Sequence, residues 1–266
     1  MSTLGAHRPF TNHESIVPWP WLLVTAGWAI ALAATLGGQD WVLNHHVLIE
    51  GGRLPLLVAG IVFLLAWQLM TITMMLPASM RVLDVFRRAN RANHGDRVAT
   101  ASFLAGYLAT WTWFGVIAFA GDILVHQLIH HWSWLAWHPW MIAGTTLLLA
   151  GGFQFTAMKA RCLAACRAPR SPFVRQYRPG RAAAWWLGLE HGRFCLGYCW
   201  ALMLVMFGLG VGNVLWMAGL ASVMFLEKTA SLGRPLVPVI GTVLLAWGAL
   251  VMAHPGWLPR ILTGLA

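Results

Sequence analysis

The sequence predicts an all-α fold, a polytopic membrane helix bundle of about seven transmembrane helices with a cytoplasmic amino terminus. Composition is the first reason: 59% of the 266 residues are apolar and only 10% are charged, whereas a soluble domain carries about 25% charged residues. The second reason is that long apolar stretches recur along the chain, as membrane spans require. These observations exclude a soluble globular domain, a disordered chain and a nucleic-acid-binding protein with a solvated surface.

Seven apolar stretches are long enough, or nearly long enough, for transmembrane helices, which need about 20 mostly apolar residues. They run near residues 19–36, 54–76, 99–125, 141–158, 194–209, 214–226 and 236–253. The fifth and sixth are short and fit a bilayer if the helices tilt or the bilayer adapts. Gly208, Gly210 and Gly212 predict a tight turn between them. Residues 1–266 are therefore expected to form a single integral membrane domain.

The longest segment outside the predicted spans is basic and follows the fourth span. Turn signals occur at residues 168–172 and 178–180. After them, residues 181–193 predict an interfacial helix, with Trp185 and Trp186 anchoring it among the lipid headgroups.

The distribution of basic residues predicts the orientation. The chain has 18 Lys and Arg residues against 8 Asp and Glu residues, a formal charge of +10. If the amino terminus is cytoplasmic, every Lys and Arg except Arg53 and Arg260 falls on the cytoplasmic side. Short loops rich in Lys and Arg remain on that side. We therefore expect an external carboxyl terminus and a lipid bilayer as partner, with anionic headgroups beside the basic loops and no nucleic acid.

All four cysteines fall between residues 162 and 199. Met158, Cys162 and Cys166 are spaced four apart, so a helix would place them on nearly one face, at the cytoplasmic end of the fourth span.

A second series with the same spacing rises from the cytoplasmic surface into the fifth span. It comprises His191, Cys195, Cys199 and Met203. Four residues advance a helix by one full turn plus about 40°, so the members of this series form one stripe along the helix. Both cysteine pairs are therefore predicted to lie at one depth, near the cytoplasm.

The second predicted span ends near the same surface with further sulfur donors, Met70, Met74 and Met75, and Pro77 is expected to end that helix. Thiolate and thioether ligands favour Cu(I), while Cys and His sets also suit zinc. The alternative is packing, because Met fills gaps in apolar cores and Cys behaves as a small apolar residue. Two cysteine pairs and an aligned His favour a metal or redox site.

Several charged residues are also predicted near the cytoplasmic surface. They are Lys159, Glu190, Arg193, Glu227 and Lys228. The favoured interpretation is that they form interfacial ion pairs and extend their charged ends towards the headgroups.

A second group of polar residues is predicted at the outer face. Asp122, His126 and His130 are four apart at the outer end of the third span, and His45 and His46 lie in the first outer loop. They could form a harder site for Cu(II) or zinc. The favoured alternative is a solvated, aromatic-rich rim, since four tryptophans lie between residues 132 and 140.

Together these motifs resemble a bacterial family described as predicted metal-binding integral membrane proteins. The matching motifs are Met-Met-Leu-Pro at 74–77, Gln-Phe-Thr at 154–156, Lys159, Cys162, Cys166, Arg167, Gly-Leu-Glu-His-Gly at 188–192, Cys-Leu-Gly-Tyr-Cys-Trp at 195–200 and Leu-Glu-Lys at 226–228. The resemblance extends from about residue 65 to 230. It implies metal binding, related to copper, and location in a bacterial inner membrane. Tyr198 stands where family members often have a further Cys.

The leading hypothesis is a membrane protein that handles Cu(I) for transfer, export or insertion into a partner. A metal chaperone or the subunits of a membrane complex are the expected protein partners. Zinc and haem are the alternative cofactors, and a haem-binding or redox subunit or a structural subunit of a membrane complex is the alternative function. The sequence shows neither a phosphate-binding glycine loop nor a Ser-His-Asp set that would indicate an enzyme.

Overall fold

The computed structural model describes residues 19–37, 55–92, 98–167, 179–209 and 214–254, and within these ranges the regular structure is helical. The helices are α1 (Trp19–Leu36), α2 (Leu56–Met70), α3 (Leu76–Ala92), α4 (Val98–His131), α5 (Ser133–Ala136), α6 (Pro139–Phe153), α7 (Ala157–Arg167), α8 (Arg181–Leu209), α9 (Val214–Thr229) and α10 (Gly233–Ala253). A π-helical turn, Thr71–Met75, joins α2 to α3. The predicted all-α class is confirmed.

Four helical stretches in the described ranges are long and apolar enough to cross a membrane. They are Trp19–Leu36, Leu56–Arg91, Val98–Ile129 and Gly233–Ala253. A fifth is added if the bent pair α6 and α7 counts as one span. The chain is therefore a multi-pass helical protein by length and composition, while the count of seven and the cytoplasmic amino terminus stay predictions.

The second predicted span does not end at Pro77, as the sequence suggested. The helix continues through the π-helical turn into α3 as far as Ala92. Inside a continuous helix a proline lacks the N–H that would bond to the preceding turn. The π-helical turn directly precedes Pro77, so the helix changes its hydrogen-bonding pattern where that N–H is missing and does not stop.

The fourth predicted span, residues 141–158, is not one straight helix. α6 ends at Phe153, α7 begins at Ala157, and the two helices are bent by 65°. The Thr156 hydroxyl donates to the Phe153 carbonyl oxygen at 2.8 Å and accepts from the Lys159 amide at 3.3 Å. This cap satisfies backbone groups on both sides of the break.

α8 runs continuously from the predicted interfacial helix into the fifth predicted span, and it packs closely on α4. The glycines on the two helices permit this approach. A Cβ atom added at Gly106 would lie 2.2 Å from the Trp185 carbonyl oxygen, and one added at Gly188 would lie 2.0 Å from that of Phe103. The tight interface fixes Tyr107 of α4 against the middle of α8.

The two helices α4 and α9 run in opposite directions relative to α8. α4 runs parallel to α8, because Phe103 lies beside Gly188 and Thr110 lies beside Gly192. α9 runs antiparallel to α8, because Lys228 near its carboxyl end lies beside Cys195, whereas Met224 lies beside Tyr198 further along α8. These directions bring the end of α9, the middle of α8 and the π-helical turn to one place.

Candidate metal centre

Two cysteines and one methionine form the centre of the candidate site. Cys195 and Cys199 are 0% exposed on α8. The Cys199 Sγ lies 3.6 Å from the Sδ of Met75, which is also fully buried. The Cys199 thiol donates to the Cys195 carbonyl oxygen at 2.9 Å. Two thiols and a thioether, contributed by α8 and the π-helical turn, are thus held together away from water.

The π-helical turn accounts for the placement of Met75. It inserts an extra residue into the helical repeat, which changes the direction of the side chains that follow, and such insertions often occur at functional sites. The Thr71 hydroxyl donates to the Trp67 carbonyl oxygen at 2.9 Å, and the Thr73 hydroxyl donates to that of Leu69 at 3.0 Å. Both hydroxyls bond back to carbonyl oxygens of the preceding helical turn, and both Met74 and Met75 are buried.

Cys195 has two polar neighbours from other helices. The Tyr107 hydroxyl of α4 lies 3.3 Å from its Sγ. The Lys228 ammonium of α9 donates to the same Sγ at 3.0 Å, and Lys228 is only 4% exposed. A buried cation therefore directly contacts one of the two cysteines at the centre of the site.

A fully buried ion pair lies next to this cation. The Lys159 ammonium of α7 donates to Glu227 Oε2 of α9 at 2.9 Å, and both side chains are 0% exposed. The Tyr198 hydroxyl of α8 donates to the same carboxylate oxygen, and its ring lies 4.6 Å from the Lys159 Nζ. Arg167 of α7 donates to the Glu227 carbonyl oxygen at 2.6 Å.

The expectation of interfacial ion pairs is wrong for Lys159, Glu227 and Lys228, because all three are buried in the protein. Glu190 and Arg193 are exposed. The sequence signals for these three residues were Lys159 and the Leu-Glu-Lys motif at 226–228, but only the packing of α7 and α9 on α8 reveals that their charges face inwards.

The second cysteine pair lies on α7 and is partly separate from the first. Cys166 is buried and Cys162 is half-buried, whereas Met158 is 52% exposed. A Cβ atom added at Gly197 would lie 2.8 Å from the Cys162 Sγ. Gly197 is about 200° around α8 from Cys195, so Cys162 packs against the opposite side of that helix.

His191 is buried one turn before Cys195. Its ring stacks on those of Phe103 and Tyr107, with centroids 6.1 and 5.6 Å away. Its Nε2 has no hydrogen-bond partner among the described residues. In the same described part of the chain, no group of three or more His, Cys, Asp or Glu side chains is arranged to hold a metal. The role of the five predicted Cys and His ligands stays a prediction.

The predicted methionines, apart from Met158, lie in one core with the cysteines. This core includes Met70, Met74, Met75, Met203, Met206, Met217, Met224, Cys166, Cys195 and Cys199. The interior around α8 is therefore unusually rich in soft sulfur atoms.

At the predicted outer face, the structure brings together one pair. The Nδ1 of His126 lies 3.4 Å from Asp122 Oδ1 and 2.9 Å from the Asp122 carbonyl oxygen. His130 belongs to the same helix, α4. His45 and His46 fall outside the described residues. An outer metal site made by these residues stays a prediction, and Trp132, Trp134 and Trp137 are exposed, as an aromatic rim would require.

These features define a helical membrane protein with a thiol and thioether site in its core. A family model described as PpoB2, copper chaperone, matches residues 64–251, which is most of the chain. The chain belongs to this copper chaperone family, and the resemblance found in its motifs is confirmed. No curated protein and no solved structure matches the chain.

Proposed function

We propose that this protein carries Cu(I) as its cargo in the membrane, binds it through Cys195, Cys199 and Met75, and passes it to a partner protein. The observation that carries the proposal is the 3.6 Å contact between the Cys199 Sγ and the Met75 Sδ beside Cys195. Thiolate and thioether sulfur are the ligand types that select Cu(I).

The donor set fits copper better than zinc. Structural zinc sites are tetrahedral, with four ligands drawn mainly from Cys and His. The described residues offer no group of even three Cys, His, Asp or Glu side chains in suitable positions. Two thiols supplemented by a thioether suit a soft monovalent ion, and membership of a copper chaperone family supports the same choice.

The remaining predicted donors suggest a route for the ion. Met158 is exposed and Cys162 is half-buried on α7, while Cys166 is buried in the same core as Cys195. In this proposal they receive the ion near the cytoplasmic surface and pass it inwards. His191, one turn before Cys195, assists entry through its unpartnered Nε2.

Thioethers deeper in the core continue the route. Met203 lies one turn beyond Cys199 on α8, and Met70 and Met74 lie on α2 and the π-helical turn, all three fully buried. A chain of similar weak ligands permits an ion to exchange from one sulfur to the next. This arrangement supports transfer, export or insertion of the metal.

The test is the metal content of the purified full-length protein after expression with copper and zinc. Wild type is expected to retain copper, and a variant with Cys162, Cys166, Cys195 and Cys199 all changed to Ser is expected to lose it. The Cys162→Ser/Cys166→Ser variant is a matched control that should retain part of the copper. Equal copper and zinc in wild type and the quadruple variant would overturn the proposal.

A further inference from the structure

Lys228 is a buried cation that takes no part in the ion pair between Lys159 and Glu227. Among the described residues, three with a formal charge are buried: Lys159, Glu227 and Lys228. Lys159 and Glu227 neutralise each other at 2.9 Å. Lys228 instead directs its ammonium at the Cys195 Sγ, at 3.0 Å.

A buried charge without an opposite charge is costly, because the protein interior solvates it poorly. The negative charge that accompanies Lys228 must therefore come from the sulfur site. In the described part of the chain no carboxylate pairs with Lys228: that of Glu227 is bound by Lys159 and Tyr198, α4 contributes the Tyr107 hydroxyl, and the π-helical turn contributes the Met75 thioether.

The charge of a loaded site depends on the metal. Two thiolates that hold a monovalent ion carry a net charge of −1, which the Lys228 ammonium neutralises. Two thiolates that hold a divalent ion carry no net charge, so the ammonium would remain buried and uncompensated. From this balance we infer that Lys228 is a specificity-determining residue, which favours Cu(I) over divalent metals at Cys195 and Cys199. This inference rests on the proposed function.

Contacts from α7 hold the end of α9 from which Lys228 extends. Arg167 holds the end of α9 through the Glu227 carbonyl oxygen, and Lys159 holds the Glu227 side chain. The Lys228 Nζ also lies 5.3 Å from the centre of the Tyr198 ring, on which the Lys159 ammonium lies too. Both contacts from α7 fix the helix end that presents the ammonium.

The experiment compares Lys228→Leu with Lys228→Arg in the purified full-length protein. Affinities for Cu(I) and Zn(II) are measured by competition with chromophoric chelators under reducing conditions. Lys228→Leu should shift the ratio of Cu(I) to Zn(II) affinity at least tenfold towards zinc, which corresponds to about 1.4 kcal/mol. Lys228→Arg keeps the charge and should keep the ratio of wild type.

The outcomes separate this inference from the proposed function. If wild type binds Cu(I) and Lys228→Leu shows the same metal ratio, the inference is wrong while the proposed function stands. If wild type does not bind Cu(I), the proposed function is wrong and the inference falls with it. Should Lys228→Leu fail to fold, Lys228→Gln removes the charge with a polar side chain, and the same shift is expected.

Discussion

Met75 and Met158 illustrate how similar residues acquire different roles. Spacing and composition predicted both as assisting ligands. The structure buries Met75 and places its Sδ 3.6 Å from the Cys199 Sγ, whereas Met158 is exposed on α7. Spacing within one helix predicts which residues share a face, but it does not predict which face meets another helix.

Met75→Leu should lower the affinity for Cu(I) about tenfold, or about 1.4 kcal/mol, because it removes the thioether while nearly conserving volume. A swap of this kind in a core usually costs less than about 1.5 kcal/mol of stability, so the protein should still fold. Met158→Leu is the matched control and should bind with almost the affinity of wild type. The measurement is competition with a Cu(I) chelator, and equal losses in both variants would argue against Met75 as a ligand.

The cysteine spacing predicted Cys195 and Cys199 on one face of α8, and both side chains are buried there. The same reasoning could not predict Lys228 beside them. Charged residues near a membrane surface usually extend towards water. Lys228 turns inwards because α9 is antiparallel to α8 and because Arg167 and Lys159 hold its end. That arrangement depends on three helices, so the Leu-Glu-Lys motif at 226–228 alone does not indicate which way its charges point.

The interface between α4 and α8 supports the whole site, because it places Tyr107 beside Cys195. Gly106→Ala should destabilise this interface, since the added Cβ would lie 2.2 Å from the Trp185 carbonyl oxygen. Overpacking of this kind costs about 1–3 kcal/mol. The expected result is a lower midpoint of thermal unfolding in detergent.

Gly121→Ala on the same helix is the matched control. A Cβ at Gly121 would have nothing within 4 Å, and alanine is the better helix former by about 1 kcal/mol. Its midpoint should equal or exceed that of wild type. If both variants lose the same stability, close packing at Gly106 is not what holds α4 against α8.

The π-helical turn is the element that sequence patterns could not reveal. The apolar run and Pro77 predicted the end of the helix, and this prediction is wrong, because the helix changes its hydrogen-bonding pattern there and continues to Ala92. Local apolar periodicity cannot distinguish a change of helical repeat from a helix end, because one extra residue leaves the apolar pattern before it intact. The bend at residues 154–156 escaped prediction for a similar reason, since the composition stays apolar on its amino-terminal side.

For the molecule as a whole, composition was sufficient to predict an all-helical membrane protein. α4 and α8 run parallel, and α9 runs antiparallel to α8. These directions agree with spans that cross a membrane in alternating directions. The described residues give four or five candidate spans, so seven spans and the orientation remain predictions from apolar length and basic loops. The same holds for the candidate site. The sequence predicted the sulfur residues, but the charged residues buried beside them could be recognised only from the three-dimensional packing.

X-ray absorption at the copper edge tests the central claim most directly, with the purified full-length protein loaded with Cu(I). The account predicts a Cu(I) edge and a shell of two or three sulfur ligands in wild type. That shell should persist in Cys162→Ser/Cys166→Ser and disappear in Cys195→Ser/Cys199→Ser. A shell of nitrogen and oxygen ligands in wild type, or an unchanged sulfur shell without Cys195 and Cys199, would contradict the account.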